Sequence, residues 1–160
     1  MTWSGKTEME KPKESIATIL DRNLDATIHD WLELVEQNEE LAAVPLNHAD
    51  RTGHLPKLLQ DVIARLRLRD RSKASISIAA GLHGELRSKQ GYTVPMLVDE
   101  SRILQVSIFG TLKKNVDSID SHELLKDVIT VADEADSQLK QTTIRYMEAE
   151  ALKRSKNIVA

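Results

Sequence analysis

Apolar residues recur every three or four positions along most of the chain, which is the spacing of one face of an α-helix. The first stripe predicts a helix from Glu14 to about Glu40, and Pro45 prevents its continuation. A short turn is expected from Asn47. A second long helix is expected to begin at "HLP", with Pro56 in its first turn, where the missing N–H costs nothing.

The second half of the sequence predicts three more helices. The third covers about Lys73 to Gln90, and Gly91 is suited to the left-handed position that follows a helix. The fourth starts after Thr93 as N-cap, with Pro95 in its first turn, and runs to about Val116. The fifth begins near Asp120 or Ser121 and meets no strong helix breaker. At 1.5 Å per residue it is roughly 50 Å long, so its far end is expected to project or to pair with a second copy.

No segment alternates apolar and polar residues with β-branched enrichment, so the predicted fold class is all-α. We expect a helical bundle of about five main helices with a long C-terminal helix, and a globin-like arrangement is one form that such a bundle takes. Residues 1–13 are polar and aperiodic, and they are interpreted as a flexible lead. Residues 14–150 form the predicted helical domain. Residues 151–160 are interpreted as a helical linker towards an output domain outside this sequence.

The fourth predicted helix is apolar on nearly every side, with Ser107 and Gly110 as small residues among larger ones. Such a helix lies at the centre of its domain or is shared with a partner. Both interpretations stay open at this point. We expect a homodimer joined through the last helix, with the fourth helix as a further contact.

Composition narrows the range of functions. The 160 residues carry a net charge of −3, which gives no electrostatic case for a nucleic-acid partner. Cysteine is absent, and no apolar run approaches the ~18 residues that a membrane span needs. We therefore expect a cytoplasmic protein without a membrane partner. The basic run over residues 65–73 is either a phosphate-binding patch or a solvated helix end followed by a loop.

No coherent set of catalytic residues is evident, so we expect no enzymatic activity, no cofactor and no metal. His48 and His54 are six residues apart around a turn, and the absence of carboxylate or thiolate company argues against a zinc site there. The segment "SHELLKD" resembles the phosphoacceptor box of histidine kinases. However, it lacks the proline of that box, and Leu125 occupies its basic position. A phosphotransfer or kinase dimerisation domain that uses His122 or His83 is therefore an alternative reading.

Three sequence blocks support a family resemblance. The segment "HGELRSKQGY", which begins at His83, is followed by a helix that contains a glutamate and an arginine; upstream lie "WLELVEQNEEL" and "HLPKLLQDV". In this order they resemble the helical N-terminal domain of RsbRD-type stressosome co-antagonists. That domain also stands at the front of bacterial sensor histidine kinases and some transcriptional regulators. The likeness covers about Ile16 to Glu150, and Ser101 departs from it where the family tends to carry an aromatic residue.

The resemblance implies a sensory or regulatory input role, transmitted through the last helix to an output module. The candidate ligand-binding or signalling residues are His83, Arg87, Tyr92 and Glu100. Glu100 lies in the most apolar helix, where an ionised carboxylate needs a partner. These residues are expected to form a buried polar cluster, a ligand or haem site that uses His83, or a contact with a downstream domain. A stand-alone helical adaptor is a further alternative function.

Overall fold

The computed structural model describes residues 10–160, and the regular structure in this range is helical. Five of its α-helices have twelve or more residues, which confirms the predicted all-α bundle and its long last helix. The α-helices are α1 (Ile16–Arg22), α2 (Leu24–Glu36), α3 (Glu39–Ala43), α4 (His48–Thr52), α5 (Leu55–Leu66), α6 (Ile78–Lys89), α7 (Val94–Lys114) and α8 (Leu124–Val159).

The first predicted helix is wrong in extent, because the chain forms α1, α2 and α3 there. Asn23 separates α1 from α2 with φ −106° and ψ 21°, and its side-chain amide donates to the carbonyl of Ile19 at 2.7 Å. Asn38 caps α3 by accepting from the N–H of Leu41 at 3.0 Å. Asparagine side chains compete with the helical backbone for hydrogen bonds, and the apolar periodicity does not reveal this competition.

Two further boundaries differ from the prediction. The turn expected from Asn47 is the short helix α4, which Asn47 caps through a 2.7 Å bond from the N–H of Asp50. The third long helix begins at Ile78 instead of Lys73, because Ser77 caps it. Other predicted signals are confirmed. Pro56 lies in the first turn of α5, and Gly91 follows α6 with φ 78°.

Helix α7 is central and packs against α1, α2 and α8. Its inward side consists of Leu97, Glu100, Ile103, Leu104, Ser107, Ile108, Thr111 and Leu112. Val98 and Val106 remain about half exposed, so the central position does not bury the whole helix. Within residues 10–160, no helix has both the length and the apolar character that crossing a membrane requires.

Helices α6 and α8 cross at very close range. A Cβ atom at Gly84 would lie 2.1 Å from the carbonyl oxygen of Thr142, so only glycine permits this approach. The Thr142 hydroxyl donates to the carbonyl of Ala80 at 3.0 Å, and the Tyr146 hydroxyl donates to the carbonyl of Tyr92. Helix α8 has 36 residues and is roughly 54 Å long, and its residues 151–160 are exposed.

The basic run over residues 65–73 matches neither expectation fully, because two of its arginines pair with α8 and are neither free for a phosphate nor fully solvated. Arg65 is 5% exposed and donates to Glu134 of α8 at 3.0 Å and to Asp133 at 2.5 Å. Arg71 pairs with Asp127 of the same helix. The run therefore attaches the start of α8 to the body.

The predicted lead over residues 1–13 lies mostly outside the described residues. At its end, Lys13 donates to the carbonyl of Asp117 at 2.9 Å. The N–H of Glu14 donates to the carbonyl of Ser118 at 2.7 Å. The chain is therefore tied to the segment before α8 from Lys13 onward.

Candidate functional site

Arg87 is the centre of a buried polar cluster between α5, α6 and α7. Its side chain is completely buried, and all five of its N–H donors are used. Nε and Nη2 donate to the Glu100 carboxylate at 3.1 and 2.8 Å. The remaining donors reach the carbonyls of Asp50 and Arg51 and the side-chain oxygen of Gln90. A guanidinium without solvent needs such full satisfaction, so this residue ties the α4 segment to α6 and α7.

Glu100 extends from the inward side of α7 towards two donors on α6. Its carboxylate accepts from Arg87 and contacts His83 Nε2 at 3.0 Å. Burial alone raises the pKa of Glu100, but the hydrogen bonds and charges of His83 and Arg87 outweigh burial and hold that pKa below its usual range. The carboxylate is therefore ionised at neutral pH. Arg87 and His83 are the partners that an ionised Glu100 needs in this apolar helix.

His54 is the member of the cluster that the sequence argument missed. It lies immediately before α5, and its imidazole stacks on that of His83 with ring centroids 3.6 Å apart and planes inclined by 12°. Trp31 covers it edge-on, with centroids 5.7 Å apart. Burial, aided by the charges of His83 and Arg87, holds the pKa of His54 well below its ordinary value. The His54 ring is consequently neutral near pH 7.

The pKa of His83 is also lowered, and its position explains why. Desolvation by burial is the largest cause, and it outweighs the hydrogen bond and charge of Glu100, which favour the protonated ring. With Nε2 engaged by the carboxylate, Nδ1 of His83 is buried and has no hydrogen-bond partner. Nδ1 of His54 is in the same condition.

Tyr92 closes the cluster beneath Arg87, whose Cζ lies 4.6 Å from the centre of the tyrosine ring. This cation–π contact adds to the hydrogen bonds that hold the guanidinium in place. The Tyr92 hydroxyl is buried without a hydrogen-bond partner, and burial followed by the negative charge of Glu100 raises the pKa of Tyr92.

A small cavity of about 30 Å³ adjoins the cluster, with space for one or two water molecules. His54, His83 and Glu100 line one part of it, and Gln138 and Thr142 of α8 line another. The Gln138 amide nitrogen donates to the carbonyl of Leu58 at 3.0 Å, whereas its side-chain oxygen is buried without a partner. Helix α8 therefore forms a wall of the cavity that adjoins the cluster.

The structure brings together all four predicted site residues, with the contacts that the buried-cluster interpretation expects. Sequence reasoning missed His54 and Gln138. The only signal for His54 was its place at the start of the "HLP" block, since nothing local indicates that its ring reaches His83. The zinc pairing considered for His48 and His54 is replaced by other contacts, because His48 lies 2.7 Å from Glu36.

The two histidines considered for phosphotransfer are in contrasting positions. His83 is 6% exposed and unavailable to a phosphodonor in this arrangement. His122 is exposed, but it lies in the short 3-10 helix Ser121–Glu123 before α8, away from the cluster. The cluster instead offers side-chain atoms of the kinds that coordinate metal ions. One nitrogen from each of His54 and His83 and one oxygen of Glu100 lie within 4.8 Å of one another.

Comparisons with protein-family models, with curated proteins and with solved structures find no significant match for this chain.

Proposed function

We propose that this protein is a non-catalytic sensory or regulatory input domain of a bacterial signalling protein, and that it transmits its state through α8. The output is a sensor histidine kinase or a stressosome-type regulator, joined to or bound by that helix. One observation carries the proposal: the polar cavity beside His83 and Glu100 is walled by Gln138 and Thr142 of α8, the helix that continues beyond the body.

A short chain of contacts connects the residues that line the cavity to the crossing of α6 and α8. Gly84 follows His83 in α6 and forms the closest approach to α8, at Thr142. One turn further along α8, Tyr146 bonds to the carbonyl of Tyr92, which is itself part of the cluster. A change in cavity contents that shifts His83 or Gln138 therefore acts on the α6–α8 crossing directly. Packed interfaces tend to switch between discrete arrangements, which suits signalling by rotation or translation of a helix.

The buried ionic cluster supports a regulatory rather than a catalytic reading. Every Arg87 donor is satisfied by protein atoms, and the carboxylate of Glu100 is held by Arg87 and His83. Both charged groups are thus engaged within the protein. The sequence blocks that resemble the RsbRD-type N-terminal domain agree with this role.

We further propose that the protein acts in the cytoplasm as a homodimer. The large apolar residues that α8 leaves exposed favour a second copy as their cover: Leu125, Ile129, Ile144, Met147, Leu152, Ile158 and Val159. Light scattering at tens of micromolar should give twice the mass of 18.0 kDa. A monomer mass at that concentration would overturn this part of the proposal.

A set of chimaeras tests the transmission mechanism. The full chain is fused through α8 to the catalytic core of a helix-coupled histidine kinase, with zero to seven residues inserted after Ala151. Kinase activity should vary with insert length in helical phase, and seven residues should restore most of the uninserted activity. Activity that declines smoothly with length would show that α8 is only a tether.

A matched pair of glycine variants completes this test. Gly84→Ala changes the α6–α8 crossing and should shift the kinase activity of the chimaera. Gly110→Ala lies on α7, where an added Cβ meets nothing within 4 Å, and should leave that activity unchanged. Equal effects of the two substitutions would contradict transmission through the crossing.

A further inference from the structure

Three side chains from different parts of the fold offer metal ligands at one point. His54 precedes α5, His83 belongs to α6 and Glu100 belongs to α7, and their ligand atoms lie within 4.8 Å of one another. We propose that these three residues bind a single divalent first-row transition-metal ion, such as Zn²⁺, reversibly. Two imidazoles and a carboxylate suit zinc, iron, cobalt and nickel better than the harder Mg²⁺ or Ca²⁺.

The fold leaves one ring nitrogen of each histidine unsatisfied, and it directs Nε2 of His83 at the Glu100 carboxylate, 3.0 Å away. Nδ1 of His54 and Nδ1 of His83 are both buried and have no hydrogen-bond partner. A buried polar atom without a partner normally costs free energy, and for His54 a lone pair donated to a metal removes that cost. His83 shares the ion with Glu100 through Nε2, so the ion replaces the hydrogen bond between them and the ring proton moves from Nε2 to Nδ1. Neutral imidazole is the form that coordinates metals, and both rings are held in that form by burial.

The adjoining cavity supplies a place for the rest of the coordination shell. Its volume of about 30 Å³ accommodates a metal-bound water molecule. Gln138 lines the same cavity, and its side-chain oxygen, which is buried without a partner, is a suitable acceptor for a proton of that water. Three protein ligands and one water complete a four-coordinate site of the kind that zinc adopts.

Two features of the cluster make the binding reversible rather than permanent. The stacked rings have nearly parallel planes, so one imidazole must turn before both nitrogens point at an ion 2.0–2.1 Å away. His54 is the ring able to turn, because it is only partly buried and makes no side-chain capping bond. In addition, the positive charge of Arg87 beside Glu100 opposes a second cation. A carboxylate has enough lone pairs to keep its bonds to Arg87 while one oxygen coordinates a metal.

The binding claim does not depend on the proposed function, although it would name the input of that function. The test uses the full chain, stripped with a chelator and titrated with Zn²⁺ or Co²⁺. We expect one ion per chain by calorimetry, a raised melting temperature, and visible absorption of the Co²⁺ form typical of nitrogen and oxygen ligands. His54→Gln and His83→Gln should each weaken binding at least tenfold.

The histidines outside the cluster provide the controls. His48→Gln and His122→Gln remove exposed imidazoles and should leave the affinity unchanged, and circular dichroism checks that every variant keeps its helix content. Absence of binding by the stripped protein would overturn the proposal. Binding that survives His54→Gln or His83→Gln unchanged, or that is lost in His48→Gln or His122→Gln, would also overturn it. None of these results bears on the chimaera experiment, so failure here is distinguishable from failure of transmission through α8.

Discussion

The imidazole rings of His54 and His83 stack face to face, with centroids 3.6 Å apart. Two protonated rings at this separation would repel each other, and Arg87 would repel both. Among the described residues, the carboxylate that acts on His83 is that of Glu100, and Arg87 already shares it. The stack is therefore an arrangement of neutral rings, and folding favours that form.

The first prediction is that stability of the chelator-treated protein falls as the solution is acidified from about pH 7.5 to pH 5.5. Both folded pKa values lie below the unfolded value of ~6.5. The stabilising effect is thus fully present above that pH and is lost as pH falls towards the folded values. Each histidine contributes at most about 1.4 kcal/mol per pH unit. Urea unfolding at several pH values measures this slope, which His54→Gln should reduce.

The control for this pH dependence is the exposed His122. Its replacement by glutamine removes a histidine without touching the stack, so the slope of wild-type protein should persist. A slope that is equally steep in wild type and in His54→Gln would show that other groups cause the acid sensitivity.

The second prediction concerns the ion pair at the centre of the cluster. Glu100→Gln keeps the shape of the side chain but leaves the buried guanidinium of Arg87 without its counter-charge. Breaking a buried pair in this way costs about 3–5 kcal/mol. Urea denaturation should therefore show a large loss of unfolding free energy. Asp99→Asn on the same helix alters a pair between the partly buried Asp99 and the exposed Arg102 but keeps a side-chain oxygen that can accept from Asn38, and it should cost less than about 1 kcal/mol.

The third prediction contrasts two glycines in long helices. Gly84→Ala places a methyl group against the backbone of Thr142 and should destabilise the protein by about 1–3 kcal/mol or more. Gly110→Ala meets open space and should stabilise it by about 0.5–1 kcal/mol, because alanine is the better helix former. Thermal melts of both variants measure these changes in stability. An unchanged melting temperature for Gly84→Ala would mean that the α6–α8 crossing is wider than described.

The fourth prediction concerns the bond from the Tyr146 hydroxyl to the carbonyl of Tyr92. Tyr146→Phe leaves that carbonyl without its donor in a buried position, at a cost of about 1–3 kcal/mol. In the kinase chimaera it should also alter activity, because it loosens α8 from the cluster. Thr143→Ala, which removes only a bond within α8, serves as the control.

Some of this architecture could be predicted from the sequence and some could not. The long helices follow from apolar spacing, and the caps at Pro56 and Gly91 follow from local backbone chemistry. The break at Asn23 and the late start at Ile78 depend on side-chain hydrogen bonds that compete with helix formation, so periodicity could not reveal them. The partner of Glu100 was foreseeable because a charge in an apolar helix needs one. The stacking of His54 on His83 depends on tertiary packing across 29 residues of sequence, which no local pattern encodes.

The last side-chain bond between α8 and the body is made by Lys153, which donates to the carbonyl of Ser88. Beyond it, the helix from Arg154 to Val159 makes no side-chain hydrogen bond to another described element, and helix ends without tertiary contacts fray. These amides should therefore exchange their hydrogens far faster than those near Thr142. A further segment or partner that packs against this end would slow the exchange. Amide protection at the end of α8 therefore indicates whether a partner is bound.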